Sequence, residues 1–391
     1  MRFVYLTCGV GLTILASGPA LAACPAANEY SFLFNSQAAA TLDYATSYNY
    51  TATNPSAQSL AFSVNFLTNG LSSSIIAGAQ MPAISTLINN DAVSRFLVIG
   101  GIFTGRTPDV AVNTRVVVTT FTFPVPVRDV TITTSDIDFT ANQFRDWYMA
   151  VGRNGASTYV PRLITPFGQV NNTGPFANAS SSLTLGPAAT PVAVAAAQGV
   201  GTGASANNAN TGDITLSFAQ PVTSVEVRYG NYPLQSGETA TGQQGIAIRG
   251  ISFCPMPVVS LSKTSAPVAT TGDTRFAIPG ADVDYTITVT NSGGSPVDLD
   301  TTSIGDPLPV DVTFFNGDID TTTPGTQNFV FTPGISGLTL GAGNITYFNI
   351  ANAPITPATG YDPAVRSVRW VPQGTMAANS TATIRFRTRI N

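Results

Sequence analysis

Two stretches decide the fold: "FTFPVPVRDVTI" (residues 121–132) and "LSFAQPVTSVEV" (residues 216–227). Each reads as an aromatic strand end, a Pro-Val corner and then an alternating strand. Side chains of a strand point to its two faces in turn, so Phe121 shares a face with Phe123, Leu216 with Phe218, and Val225 with Val227 and Tyr229. Proline has no N–H to give a central ladder, so Pro126 and Pro221 are expected between strands, where the chain turns from one to the next. Strand, corner and strand in this order build a sandwich or jelly roll.

Outward from these copies the same pattern recurs. Residues 30–35, 60–66, 96–103 and 115–123 are β-branched or aromatic runs bounded by Gly, Pro and Asn, as strands are. Residues 83–96, with Ile84, Leu87 and Ile88 at helical spacing, suggest a helix interrupted by Asn89-Asn90-Asp91. Residues 176–213 form a Gly, Ala, Ser and Asn tract with little to bury, which predicts a long low-complexity loop or partly disordered insertion. The first domain, a jelly-roll-like sandwich over residues 23–254, closes with "GQQGIAIRGISFCP" (residues 242–255), and a proline-marked linker covers residues 255–259.

A second β domain is expected over residues 260–391. In "ADVDYTITVTNSGGSPVDLD" (residues 281–300), Val283, Tyr285, Ile287 and Val289 face inward and Asp282, Asp284, Thr286 and Thr288 outward. The last strand sets Ile384, Phe386 and Ile390 against Arg385, Arg387 and Arg389. A stretch of this length suits one immunoglobulin-like sandwich. The fold class is therefore all-β, with two sandwiches.

Residues 282–309, "DVDYTITVTNSGGSPVDLDTTSIGDPLP", preceded by "LSKTSAP", resemble the bacterial conserved repeat domain. That family is a domain of unknown function found in surface and secreted proteins, often in many copies. Residues 285–293 match its strand and turn, and Asp306-Pro307-Leu308-Pro309 its second motif. The resemblance implies a surface or secreted role. The first domain's "SDID", "DWYMAVG" and "ISFC" are similar to modules paired with that repeat.

Residues 1–22 read as an export signal: Arg2, a short apolar core over residues 3–16, and the Gly18-Pro19 break. A membrane span needs roughly 20 apolar residues. No stretch of the chain reaches that, so no transmembrane segment is expected. Ala20-Leu21-Ala22 is a signal-peptidase site, while Leu21-Ala22-Ala23-Cys24 is an acceptable lipobox. Once the signal and its Cys8 are gone, Cys24 and Cys254 remain, at the opening and closing strands of the first domain. Two cysteines in an oxidising compartment are expected to bridge, whereas a lipid on Cys24 would orphan Cys254. Cleavage after Ala22, a Cys24–Cys254 disulfide and a secreted or cell-surface protein without lipoprotein anchoring are the expectations.

Composition narrows the chemistry. The chain has no histidine, which removes Ser-His-Asp and Cys-His catalysis and histidine zinc sites. Its three glutamates are Glu29, Glu226 and Glu238, and its bases are sixteen Arg and the single Lys263. A net charge of −4 argues against nucleic acid, whose phosphates demand a basic surface. There is no Gly-x-Ser-x-Gly elbow and no phosphate-binding Gly-Lys loop. No enzymatic activity is expected, although a polysaccharide lyase using Tyr and Arg needs neither His nor Glu.

Aspartates and aromatics supply the candidate sites. Asp136 and Asp138 end a strand, with Asp146 nearby, and can offer oxygens to a calcium ion. Alternate aspartates simply facing water at a sheet edge is the plainer reading. Asp298, Asp300, Asp306, Asp318 and Asp320 form weaker groups, and most aspartates sit in turns where they serve the backbone. Trp147 is expected to pack inside, leaving Asn231 and Tyr232, in an expected loop, to meet a sugar. Arg385, Arg387 and Arg389 read either as protection of an exposed strand edge or as a contact for an acidic polymer. The function expected is adhesion, matrix or envelope interaction with an extracellular polysaccharide or protein surface. The alternatives are a carbohydrate-binding module, calcium-assisted or not, and a secreted polysaccharide lyase.

Overall fold

The computed structural model describes residues 13–14, 24, 26–89, 91, 93–105, 115–141, 143–165, 179–185, 192–232, 242–268, 278–320 and 327–391. It is nearly all β, arranged in several sheets. The chain divides into two compact units, Ala23–Met256 and Pro257–Asn391, with Met1–Ala22 grouped with the second. The expected export signal, residues 1–22, lies outside the described residues except for Thr13–Ile14, which pairs with Ile304 and Gly305. Among the described residues no helix is long and apolar enough to cross a membrane.

One strand organises the first unit. β1 (Val116–Ser135) runs for 20 residues through both Pro124 and Pro126. Its first half lies between Ser63–Asn69 and Ser224–Gly230. After a register shift between Thr122 and Val127, its second half lies between Ile214–Ser217 and Ala247–Pro255. The prolines therefore sit inside a strand that leaves one set of partners for another, and not in a turn between two strands. The reason is that a bulge releases the ladder where proline cannot donate, and a bent strand can then pass from one set of partners to another. Pro221, by contrast, stands between β2 (Ile214–Ser217) and β3 (Val222–Asn231), as expected.

The outer strands extend each half. β3 pairs with β4 (Phe144–Asn154), which pairs with β5 (Val192–Val200), which pairs with Ala179–Leu185. The tract expected to be a loop thus supplies two strands. Small residues serve as core here: Ala196 and Ala197 are fully buried, Ala196 beside Val116, Met149 and Val151 in one cluster and Ala197 in the main core. On the other half, β6 (Gln244–Pro255) takes Tyr30–Leu33 and Leu97–Gly101 as partners. Phe62, Phe121, Phe123 and Phe253 fill the core, with the Phe123 and Phe253 rings 4.9 Å apart. Each such aromatic, buried, is worth roughly 1.5–3 kcal/mol over exposure.

The helix suggested over residues 83–96 is absent. Ala83–Ser85 is a strand, and Phe96 opens another. Asn89 donates to the Thr86 carbonyl and Asp91 accepts from the Val93 and Ser94 N–H groups, so short polar side chains take the backbone out of helix.

In the second unit one sheet runs β7 (Val259–Pro267), β8 (Asp282–Asn291), β9 (Ser380–Ile390), with Val312–Asn316 and Phe329–Thr332 on the far side of β9. The other contains Ile304–Pro307, Ser367–Trp370 and Ile345–Phe348. Ile287, Val289, Ile304, Val368, Trp370, Ile384 and Phe386 form their shared core. The inward set expected of β8 and β9 is the one buried, apart from the half-covered Tyr285 and Ile390.

Candidate functional site: a buried acid cluster

At the end of β1 the chain enters "SDID", and Asp136 adopts a left-handed φ of 68°, which aspartate tolerates better than most residues. This turn drives Asp136 and Asp138 inward. The Ile137 N–H donates to the Gly212 carbonyl and the Phe139 N–H to the Gly203 carbonyl, at 2.9 and 3.0 Å. Asp138 and Asp146 lock together: the Asp138 N–H donates to Asp146 Oδ2, and the Asp146 N–H to the Asp138 carbonyl, both at 2.9 Å. The Gly-rich tract then closes over them. Gly201 N–H donates to the Asp146 carbonyl and Ser205 N–H to Asp138 Oδ2. A Cβ at Gly201 would collide with the Asp138 carbonyl, so this close approach requires glycine.

Asp213 and Tyr229 complete the cluster. The Tyr229 hydroxyl donates to Asp146 Oδ1 at 2.6 Å, and Arg249 Nη1 donates to Asp213 Oδ2 at 3.0 Å. All four carboxyls are buried, and Asp136 Oδ1 has no hydrogen-bond partner among the described residues. Burial, then the charges of Asp138 and Asp213, push Asp136 up to about 8. Burial also raises Asp138 to about 6 against the pull of the Ser205 N–H. Asp146 is driven well above the carboxylate range, by burial first and by Asp138 second, with the Tyr229 hydrogen bond opposing. Burial raises Asp213 too, and Ser135 and Arg249 hold it back. The cluster is a store of protons: at neutral pH Asp136 is a neutral acid.

This changes the calcium reading of Asp136, Asp138 and Asp146. They do come together, but both Asp146 oxygens already accept protein hydrogen bonds, and one Asp138 oxygen does. Among the described residues no three His, Cys, Asp or Glu side chains are arranged to hold a metal ion. The pattern pointed to Asp136, Asp138 and Asp146; Asp213 was missed, and its one signal was Thr211-Gly212-Asp213 placed directly before a strand.

The ligand candidates are also repositioned. Asn231 ends β3 fully buried, its Oδ1 accepting the Arg145 N–H at 3.1 Å, so it is a strand residue and not a loop contact. Tyr232 is half-buried, its ring 5.0 Å from buried Trp147. Asp300 accepts the Gly374 N–H and Asp318 the Asp320 N–H, the backbone roles of turn aspartates.

Arg385, Arg387 and Arg389 lie on β9, which has partners on both sides, so no exposed edge needs protecting. Arg387 stands directly opposite Asp284 and Arg389 opposite Asp282. Arg387 holds Asp284 through Nε at 2.7 Å and Nη2 at 3.1 Å, and Arg385 reaches the same carboxylate at 2.8 Å. Arg389 Nε donates to Asp282 at 2.9 Å, with its guanidinium stacked 3.6 Å from the Tyr361 ring centroid. The arginines are engaged by a cross-strand ladder and do not project as a free cationic comb.

One open groove of the first unit, about 640 Å³, is lined by residues including Tyr44, Phe66, Leu71, Ser72 and Gln80 and contains none of the acid cluster. Cys24 and Cys254 are joined by a disulfide, with Cα atoms 6.0 Å apart, as the sequence leads one to expect.

No family model and no curated protein sequence matches the chain. Among solved structures, allantoicase from Saccharomyces cerevisiae aligns over 74% of this chain and 79% of its own, at 8% identity and a TM-score of 0.20. So low a score bears on neither the fold nor the activity of this chain.

Proposed function

We propose that the chain is an exported bacterial protein of two sandwich modules, jelly-roll-like and immunoglobulin-like, that acts without catalysis in adhesion, matrix or envelope interaction. The observation carrying this reading is the Cys24–Cys254 disulfide, which spans 230 residues of the first unit and belongs to an oxidising compartment. The resemblance of residues 282–309 to the conserved repeat domain supports a surface or secreted setting. The acid cluster fits the same reading as a structural element, because its own backbone closes over it.

The test is fractionation of the producing cell with mass spectrometry of the mature N-terminus, followed by a glycan array with and without chelator. A chain beginning at Ala23, unlipidated and extracytoplasmic, is expected. A cytoplasmic chain or a diacylglyceryl group on Cys24 overturns the reading. Glycan retention lost with chelator moves it to a calcium-assisted carbohydrate module.

A further inference from the structure

Lys263 is the only lysine in a chain with sixteen arginines. It lies on β7, in one sheet of the second unit, and meets Asp306 on Ile304–Pro307, in the other. Its Nζ is 2.8 Å from Asp306 Oδ1 and 2.7 Å from Oδ2. Reach to both oxygens brings the nitrogen to about 3 Å or less from the carbon between them, the separation from which attack on that carbon starts. The pair is dry: the Asp306 side chain is 0% exposed and that of Lys263 10%. The Tyr285 and Phe386 rings cover the amine, with centroids 4.1 and 5.5 Å away. No donor other than Lys263 is found on the Asp306 carboxylate among the described residues.

An ion pair alone does not call for lysine here. Arginine, used everywhere else, makes the better carboxylate clamp, but a guanidinium is a poor nucleophile and an amine is a good one. Burial away from water disfavours separated charges, so the pair is held together rather than solvated. Burial raises the Asp306 carboxyl, with Lys263 opposing.

We propose that Lys263 and Asp306 condense to an intramolecular isopeptide bond that ties the two sheets of the second unit together. The proton moves from the ammonium to the carboxylate, Nζ attacks Cγ, the N–C bond forms and a C–O bond breaks. The departing water takes its oxygen from the carboxyl and both hydrogens from the former ammonium, leaving one N–H on the amide. Nothing is oxidised or reduced and no co-reactant is needed. Residues 257–391 contain no cysteine, so this bond is the covalent tie available to that unit.

The usual dehydration of an aspartate, ring closure onto the next backbone N–H, is closed at Asp306 because Pro307 has none. Water lost there must go to a side chain. The experiment is the intact mass of the folded full chain, reduced and denatured, with peptide mapping, beside Lys263→Arg and Asp306→Ala. Expected is a wild-type mass lower by one water, a branched peptide joining Lys263 to Asp306, and full mass in both variants. Full mass in the wild type overturns the proposal whatever the variants do. So does water loss that persists in Lys263→Arg.

Discussion

In the first unit four buried carboxyls, Asp136, Asp138, Asp146 and Asp213, crowd together, with Arg249 paired to Asp213. In the second, the carboxylates face cations: Asp284 meets Arg385 and Arg387, Asp282 meets Arg389, and Asp306 meets Lys263. The difference follows from how each group reached its place. On β8 and β9 the register sets opposite charges across from one another, and the pairing is local to two strands. The acid cluster instead converges from the end of β1, the start of β4 and the Gly-rich tract, where no register selects a partner. Matched charges need only geometry. Crowded like charges must hold protons, which ties the first unit's stability to pH.

The largest expected effect sharpens this contrast through covalent chemistry. Replacing Cys24 and Cys254 by Ser opens a loop of 230 residues, worth on the order of 5 kcal/mol in the chain-entropy model as an upper figure. Thermal unfolding of the full chain should show the transition of the first unit moved sharply down and that of the second unchanged. A common shift of both would mean that the units do not unfold independently, and the comparison would fail.

The second effect tests the proton store. Between the ordinary carboxylate value and about 8, the unfolded chain gives up a proton that folded Asp136 keeps. Stability conferred by this group is therefore full below pH 4 and is lost as pH rises toward 8. Asp138, Asp146 and Asp213, also raised, act in the same direction, while Arg249 opposes through Asp213. Asp136→Asn keeps the left-handed backbone and the shape of the group but removes its titration. The variant should be more stable than the wild type at pH 8 by on the order of a few kcal/mol, and nearly equal at pH 4. Urea midpoints at the two pH values measure this. A wild-type first unit that is more stable at pH 8 than at pH 5 would sink the account.

The sequence was most informative where one period governs many residues. Val283, Ile287 and Val289, or Phe121 and Phe123, are buried as alternation requires, and Cys24 and Cys254 are bridged as expected. It was least informative where a local rule met a tertiary opportunity. Proline 124 and 126 forbid a ladder hydrogen bond locally, yet a strand that changes partners there needs none. A tract rich in Gly and Ala looks empty of core, yet its Ala196 and Ala197 are buried and its Gly201 lets the backbone approach Asp138 closely. Of the acid cluster, Asp136, Asp138 and Asp146 were legible from spacing, while Asp213 enters from far along the chain. The meeting of Lys263 with Asp306 was hidden for the same reason, since its residues lie on different sheets.

The smallest effect expected comes from the arginine ladder, and it separates engagement from exposure. Arg385 and Arg389 keep 35% and 42% of their side-chain surface in water, where an ion pair is worth about 0.2–1 kcal/mol. Triple replacement of Arg385, Arg387 and Arg389 by Gln should therefore lower the second unit's stability only modestly, with Arg387, the bidentate member, carrying most of the loss. Because β9 already has neighbours on both sides, the variant should remain monodisperse by size-exclusion chromatography if the wild type is. Because each guanidinium already faces a carboxylate, retention on an acidic polysaccharide column at low salt should be unchanged. Aggregation of the variant would restore a protective role for these charges. Loss of retention would show that an acidic polymer outcompetes Asp282 and Asp284 for the same guanidinium groups, and the second unit's matched charges would then be a binding face whose partners exchange.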